Sequence, residues 1–272
     1  MRVLRALILI PIFLVALGAL VVPLYYFYVA ATLPNPIEGA LQVETLLRQS
    51  IESERQSVQY HKREKDRDTV TWPSPDFSTL PKMMVALYIV ESRCPTYFET
   101  PRETGLEWKK RVFMSLWEKK PRPGDGACEL WFAKRLANRL GAETALDVAV
   151  AADRLHDFLQ KDQLVAFDLH SMHFDHALIG VEAASQELLQ KNLLDLDVAE
   201  LAELQLALPP LEFYDDLRLC SNSSLIRQTR DKMLDDLMTK GFINAETAKN
   251  ASDATPRCMS IVRAPGSQFH EN

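Results

Sequence analysis

The chain opens with an uncharged, largely apolar run over residues 6–37. Its most apolar part, residues 6–31, is longer than the roughly 20 residues that a helix needs to cross a bilayer. Backbone polar groups in lipid must bond within the segment, so the pattern predicts a transmembrane helix with kinks at Pro11 and Pro23. The aromatic residues at 25–28 suit the membrane interface at its end.

The basic residues around this run predict its orientation. Arg2 and Arg5 precede it, and the next basic residue is Arg48. Because positive charge favours the cytoplasmic side, residues 1–5 are expected to form a cytoplasmic tail, with the main domain on the other side of the membrane. The alternative is a signal peptide cleaved after Ala31.

The rest of the chain divides by composition. Residues 32–79 are rich in charged and amide side chains and are predicted to form a stalk or linker. From there to residue 245 apolar residues recur at spacings of three and four, with Gly and Pro between the segments. This predicts a mostly α-helical domain over residues 80–245, followed by a tail over residues 246–272.

Charge and cysteine content narrow the function classes. A net charge of -6 with 25% charged residues gives no basic footprint for a nucleic acid, so no nucleic-acid partner is expected. All 4 cysteines lie in the part predicted to be exported. An oxidising compartment favours disulfides there, with three possible pairings, and buried free thiols are the alternative.

Several segments follow one another in the order and spacing of a known domain. They are Phe132–Leu136, Lys161–Leu164, Gly180–Ala184, Asp195–Ala202 and Arg230–Leu234 with Gly241 and Ile243. Together they resemble the peptidoglycan glycosyltransferase domain of bifunctional penicillin-binding proteins, glycosyltransferase family 51. The likeness covers about residues 80–245, and the single N-terminal anchor is similar to that family's topology.

The resemblance implies a lysozyme-like helical fold and a set of site residues. Glu91 lies where the family has its catalytic glutamate. Arg93, Lys134, Glu182 and Arg230 match positions expected to bind substrate. The implied partners are lipid II or a peptidoglycan glycan strand, the membrane and other cell-wall synthesis proteins. No cofactor is expected, and a divalent metal stays open as an alternative.

Departures from the family pattern point to a degenerate domain. The first motif survives only as Glu91-Ser92-Arg93, without its aspartate and histidine, and residues 124–131 lack the hydroxyl and amide groups of the second motif. The second carboxylate is replaced at Val148. Joining lipid-linked disaccharides needs a general base and cations for the departing diphosphate. These losses favour a binding or scaffolding protein.

Two enzymatic alternatives stay open. The first is an active glycosyltransferase that polymerises lipid II. The second uses Glu91 alone as acid and then base, since Glu91-Ser92 followed by Gly105-Leu106 also resembles lytic transglycosylases. A separate alternative is a metal site from a cluster of ligand-type residues. That cluster consists of Asp168, His170, His173, Asp175 and His176.

The resemblance also implies a cysteine pairing. In the family, the segments around Glu91 and residue 124 face each other across the cleft, which would place Cys94 beside Cys128. Cys220 would then pair with Cys258. A bridge between the first two would make one wall of the cleft rigid.

Overall fold

The structure is a computed structural model. It describes residues 37–61, 80–116, 127–174, 178–208 and 223–257, with the single positions Leu17, Val21, Leu24, Tyr26, Tyr28 and Ala31. The helices in these ranges are α1 (Ala40–His61), α2 (Lys82–Glu91), α3 (Gly105–Met114), α4 (Cys128–Arg139), α5 (Ala145–Phe158), α6 (Lys161–Ser171), α7 (Val181–Leu189), α8 (Val198–Leu206), α9 (Ser223–Thr239) and α10 (Ala245–Asp253). A short 3₁₀ turn, Leu193–Asp195, lies between α7 and α8.

The expectation of a mostly α-helical protein is confirmed. The described ranges contain no β-strand, and one isolated antiparallel bridge joins His173 to Ile179. Gly180, which directly follows this bridge, has φ +95° and lies so close to His170 that an added Cβ would be 2.5 Å from its carbonyl oxygen. Any other residue there would be strained and would displace the end of α6.

Side-chain caps recognisable in the sequence set where two helices begin. Thr144 accepts a hydrogen bond from the amide of Asp147, whose carboxylate accepts one from the Thr144 amide, both at 3.1 Å. Asp197 and Glu200 form the same reciprocal pair at the start of α8, at 2.9 and 3.0 Å. Each pair satisfies backbone N–H groups that the first turn leaves without helical partners.

The core lies where α4 packs against α5 and α6, and α8 against α2 and α9. Phe132, Leu136, Val150, Leu155 and Leu164 are completely buried in it. Each fully buried side chain of this size contributes about 1.5–3 kcal/mol relative to an exposed one. The apolar positions spaced by three and four in the sequence are thus the ones that form the interior.

Helix α1 lies within residues 32–79, the predicted stalk or linker, and corrects that expectation for its own length; residues 32–36 and 62–79 lie outside the described residues. Val43, Leu47 and Ile51 recur every four residues and are buried in the domain core, where α1 packs against α6. At its far end Glu54 forms an ion pair with His173 at 2.7 Å. A helix with an apolar stripe in contact with a core belongs to the domain, so the folded unit begins near residue 37.

The C-terminal boundary also differs from the prediction. Helix α10 lies in the segment expected to be a tail, yet it packs on α9 and buries Ala248 and Ala251. Its N-terminus is capped by the Asn244 side chain, which accepts from the Thr247 amide at 2.8 Å. The folded domain therefore continues at least through α10.

The predicted anchor, residues 6–31, lies almost wholly outside the described residues. Searching the described part of the chain for a helix long and apolar enough to cross a membrane finds none. Within the predicted anchor, Leu17, Val21, Leu24 and Tyr28 are exposed. Tyr26 instead contacts the domain.

The contact of Tyr26 is with a buried carboxylate on α5. Its hydroxyl donates to Asp153, which is completely buried. Asp153 also accepts from Trp108 Nε1 at 2.9 Å and from Lys109 Nζ at 2.6 Å. A buried charge is tolerated when it is paired and hydrogen-bonded, and these donors satisfy that condition while they join α3 to α5.

A buried ion pair joins the last three helices. Arg230 on α9 is completely buried, and its Nη1 lies 2.6 Å from Glu203 Oε1 on α8. Its Nη2 donates to the carbonyls of Ser252 and Ala254 at 3.0 and 2.8 Å. These bonds connect α8 and α9 to the end of α10.

We expect Arg230→Met to lower the free energy of unfolding by about 3–5 kcal/mol, because it leaves the buried Glu203 without its cation. Denaturant unfolding of the variant measures this. Arg227→Met, at an exposed position of the same helix, is the matched control and should change stability by less than about 0.5 kcal/mol. Equal losses of stability in the two variants would show that the buried pair of Arg230 and Glu203 does not account for the effect.

Candidate functional site: a cleft beside the disulfide

A cleft of about 210 Å³ opens between the turn after α2 and the first turns of α3, α4 and α6. Its walls are formed by the turn itself, two aromatic side chains, two carboxylates and an ammonium group. The lining residues are Arg93, Cys94, Pro95, Thr96, Tyr97, Thr100, Pro101, Glu103, Trp108, Cys128, Glu129 and Lys161. Pockets for drug-sized ligands are roughly 300–1,000 Å³, so this one suits a small chemical group.

The turn that enters the cleft follows from the end of α2. The Arg93 amide donates to the Val90 carbonyl at 2.9 Å, and the Cys94 amide to the Ile89 carbonyl at 2.7 Å. These bonds close the helix end and place Arg93 in the left-handed region at φ 58°. A non-glycine residue in that conformation is uncommon, and here Arg93 is one of the residues that line the cleft.

One wall of the cleft is a disulfide between Cys94 and Cys128. The two Cα atoms are 5.9 Å apart, within the usual range for such a bridge. This is the pairing that the family resemblance implies. Cys220 and Cys258, the other expected pair, lie outside the described residues.

We expect Cys94→Ala with Cys128→Ala to lower the free energy of unfolding by about 3 to 4 kcal/mol, because the bridge closes a loop with a sequence separation of 34. Thermal unfolding of the double variant against oxidised wild type measures it. Adding reductant to the wild type should reproduce this loss of stability. The double variant lacks this disulfide, so reductant should not cause the same loss in it. A variant as stable as the wild type would contradict the expectation.

The floor of the cleft is a buried ionic group. Arg102 Nε donates to Glu129 Oε1 at 2.7 Å, and Arg102 Nη2 to the Leu159 carbonyl at 2.7 Å. Burial raises the pKa of Glu129, while the Arg102 guanidinium acts in the opposite direction. Sequence analysis missed this pair, although a glutamate where the family motif has a hydroxyl was a signal for it.

An aromatic stack supports this floor. The rings of Trp108 and His156 are stacked, with centroids 3.8 Å apart and planes 15° apart. His156 Nε2 lies 2.9 Å from the Glu103 carbonyl, to which a neutral ring donates. Burial and the neighbouring Arg102 lower the pKa of His156, which favours the neutral form of the imidazole.

Lys161, the first residue of α6, carries an ammonium group into the cleft. Its Nζ donates to the carbonyl oxygens of Tyr97 and Thr100, at 2.6 and 2.5 Å, and lies 4.9 Å from the centroid of the Tyr97 ring. Desolvation lowers the pKa of Lys161. Among the described residues no carboxylate lies within ion-pair distance of this ammonium.

Glu91, the expected catalytic residue, ends α2 and is partly buried. It is not among the residues that line the cleft, although Arg93 and Cys94 are. The charged groups that affect it belong to α9. Burial and Asp236 raise the pKa of Glu91, and Lys232 opposes them.

Glu91→Gln is expected to change how stability depends on pH. The folded-state pKa of Glu91 lies above its ordinary value of 4.5, so its stabilising contribution is complete below that value and is lost as pH rises through the folded-state pKa. Melting temperatures between pH 4 and pH 8 should therefore fall less steeply with rising pH in the variant. Glu99→Gln, at an exposed position, is the control, and identical profiles for Glu91→Gln and wild type would refute this expectation.

The residues expected to bind substrate are not gathered around Glu91. Arg93 lies at the cleft, whereas Lys134 on α4 donates to the Ser115 carbonyl at 3.1 Å. Glu182 on α7 lies 2.7 Å from Nδ1 of the buried His170. Arg230 is the buried partner of Glu203, so in this conformation its contacts are structural.

The possible metal ligands also have separate partners. Asp168 lies 3.0 Å from Arg135 Nε, His170 pairs with Glu182, and His173 with Glu54. Asp175 and His176 lie outside the described residues. The part of the chain that the structure describes contains no group of three or more His, Cys, Asp or Glu residues placed to hold a metal ion.

Comparison with known protein families and with curated proteins gives no match. The likeness to peptidoglycan glycosyltransferases therefore rests on the motifs of the sequence.

Proposed function

We propose that this chain is a single-pass inner-membrane protein whose periplasmic domain is a degenerate relative of peptidoglycan glycosyltransferases with a lysozyme-like fold. In this proposal it binds lipid II or a glycan strand, or holds other proteins of cell-wall synthesis together, without polymerising glycan. The predicted N-terminal anchor and the order of the family-like motifs in the sequence support this class of protein. Because catalytic groups of the family are missing from the sequence, ligand binding without glycan polymerisation is favoured over enzymatic turnover.

One observation carries the proposal: Glu91 is not part of the open cleft. Glycan polymerisation needs a base, an acceptor hydroxyl and cations for the departing diphosphate in one site. Here the family's second carboxylate is replaced by Val148, and the charged neighbours of Glu91 are Lys232 and Asp236 on α9. The cleft next to it contains no pair of unpaired carboxylates that could divide acid and base roles.

The contact between Tyr26 and Asp153 supports a domain held close to the membrane. Tyr26 lies near the periplasmic end of the predicted anchor, and Asp153 is buried in the body of the domain. A tyrosine at this depth suits the lipid–water interface, where its hydroxyl finds a polar partner. A lipid-linked ligand would then reach the domain without leaving the bilayer.

A second candidate function rests on the environment of Glu91. A carboxyl group whose pKa is raised by burial is suited to act as a general acid, and one such group suffices for a lytic transglycosylase. In that case Glu91 would cleave glycan strands rather than polymerise or bind them. The same purified protein serves to separate the two candidates.

The test is incubation of the detergent-solubilised full-length protein with lipid II and a divalent metal, with separation of the glycan products and a parallel binding measurement. We expect lipid II to bind and no polymer to form. Polymer that disappears in Glu91→Gln but persists in the exposed control Glu99→Gln would overturn the binding proposal. Supplying polymeric glycan strands instead tests the second candidate, since shortened strands would indicate cleavage.

A further inference from the structure

We propose that the cleft binds a small carboxylate group, the C-terminal end of a short peptide, through the guanidinium of Arg93. The inference rests on the proposed function for the source of the ligand, because lipid II carries a peptide on its sugar. It goes further by naming the chemical group recognised. That group is neither the sugar nor the diphosphate.

The first argument is the balance of charge in the cleft. Both carboxylates that line it are already paired, Glu129 with Arg102 at 2.7 Å and Glu103 with Arg111 at 2.5 Å. The Arg93 side chain makes no hydrogen bond or ion pair with any residue that the structure describes. The rim of the cleft therefore carries positive charge that is not balanced by the carboxylates lining it, and this charge favours the binding of an anion.

The second argument comes from the backbone. Helix α4 begins at Cys128, and Ala127 in the capping position makes no side-chain capping hydrogen bond. Cys128 and Glu129 line the cleft, so the positive end of a 12-residue helix faces it. A helix N-terminus adds favourable interaction with a negative group placed there.

Lys161 adds a third favourable group. Two of its three N–H bonds are directed to the carbonyls of Tyr97 and Thr100, which leaves one for a ligand. Because those carbonyls fix the ammonium, little side-chain entropy remains to be lost when an anion binds. Desolvation of Lys161 also makes an opposite charge more favourable there.

A carboxylate fits this arrangement better than a phosphate. The planar fork of one guanidinium matches the two oxygens of a carboxylate, which it can bind with two parallel hydrogen bonds. A phosphate dianion would bring a second negative charge towards Glu129 and Glu103. The volume of about 210 Å³, bounded by the disulfide and Trp108, admits the end of a peptide and excludes an extended glycan.

The experiment is calorimetric titration of the full-length protein in detergent with N-acetyl-alanyl-alanine, its C-terminal amide and inorganic phosphate. We expect the free acid to bind and the amide and phosphate not to bind. Arg93→Gln should weaken acid binding by about 10- to 100-fold, the usual effect of losing hydrogen bonds to a charged group. Arg227→Gln, an exposed arginine on α9, should bind like the wild type.

Other outcomes separate this inference from the proposed function. Equal binding of acid and amide, or phosphate binding as tight as the acid, would overturn the assignment to a carboxylate. An unchanged affinity in Arg93→Gln, with the fold verified by circular dichroism, would remove Arg93 from the site. Binding of lipid II without binding of the free acid refutes the inference alone, whereas binding of the acid without binding of lipid II or of a glycan strand refutes ligand binding as the proposed function.

Discussion

The packing of the domain depends on one buried carboxylate, Asp168. Its negative charge has to be compensated at the point where three helices meet. Tyr88 on α2 donates to its Oδ2 at 2.5 Å, and Arg135 Nε on α4 lies 3.0 Å from the same atom. Asp168 itself is completely buried on α6. Leaving this buried charge without its partners would cost several kcal/mol. This cost favours the one relative position of the three helices in which both partners reach Asp168. Burial and Asp168 also raise the pKa of Tyr88, which stays a donor.

The cleft is a consequence of that relative position of the helices. With α2, α4 and α6 held together, the end of α2 lies beside the starts of α4 and α6, and the residues between them form the walls. The disulfide between Cys94 and Cys128 joins the turn after α2 to the start of α4. Ion pairs of Arg102 with Glu129 and of Arg111 with Glu103 complete a cleft with few free groups. Because these paired groups are already fixed by their partners, they need little rearrangement when a ligand binds, which supports the binding role proposed above.

The candidate site was only partly predictable from sequence. The motif around Glu91 lies next to the cleft, since Arg93 and Cys94 line it. The motif could not show that Glu91 itself faces α9, because neighbouring positions at a helix end point in different directions. Nor could it show that Arg230 would be buried, since a long-range partner such as Glu203 leaves no local pattern.

Local features could be predicted from the sequence alone: the helical periodicity, the Gly and Pro positions between helices and the apolar run predicted to be an anchor. These depend on residues close together in the chain. Only the tertiary structure decided that α1 and α10 belong to the folded unit, and which charges are paired. The physical reason is that burial and charge compensation depend on distances between residues far apart in sequence, which a local pattern does not contain.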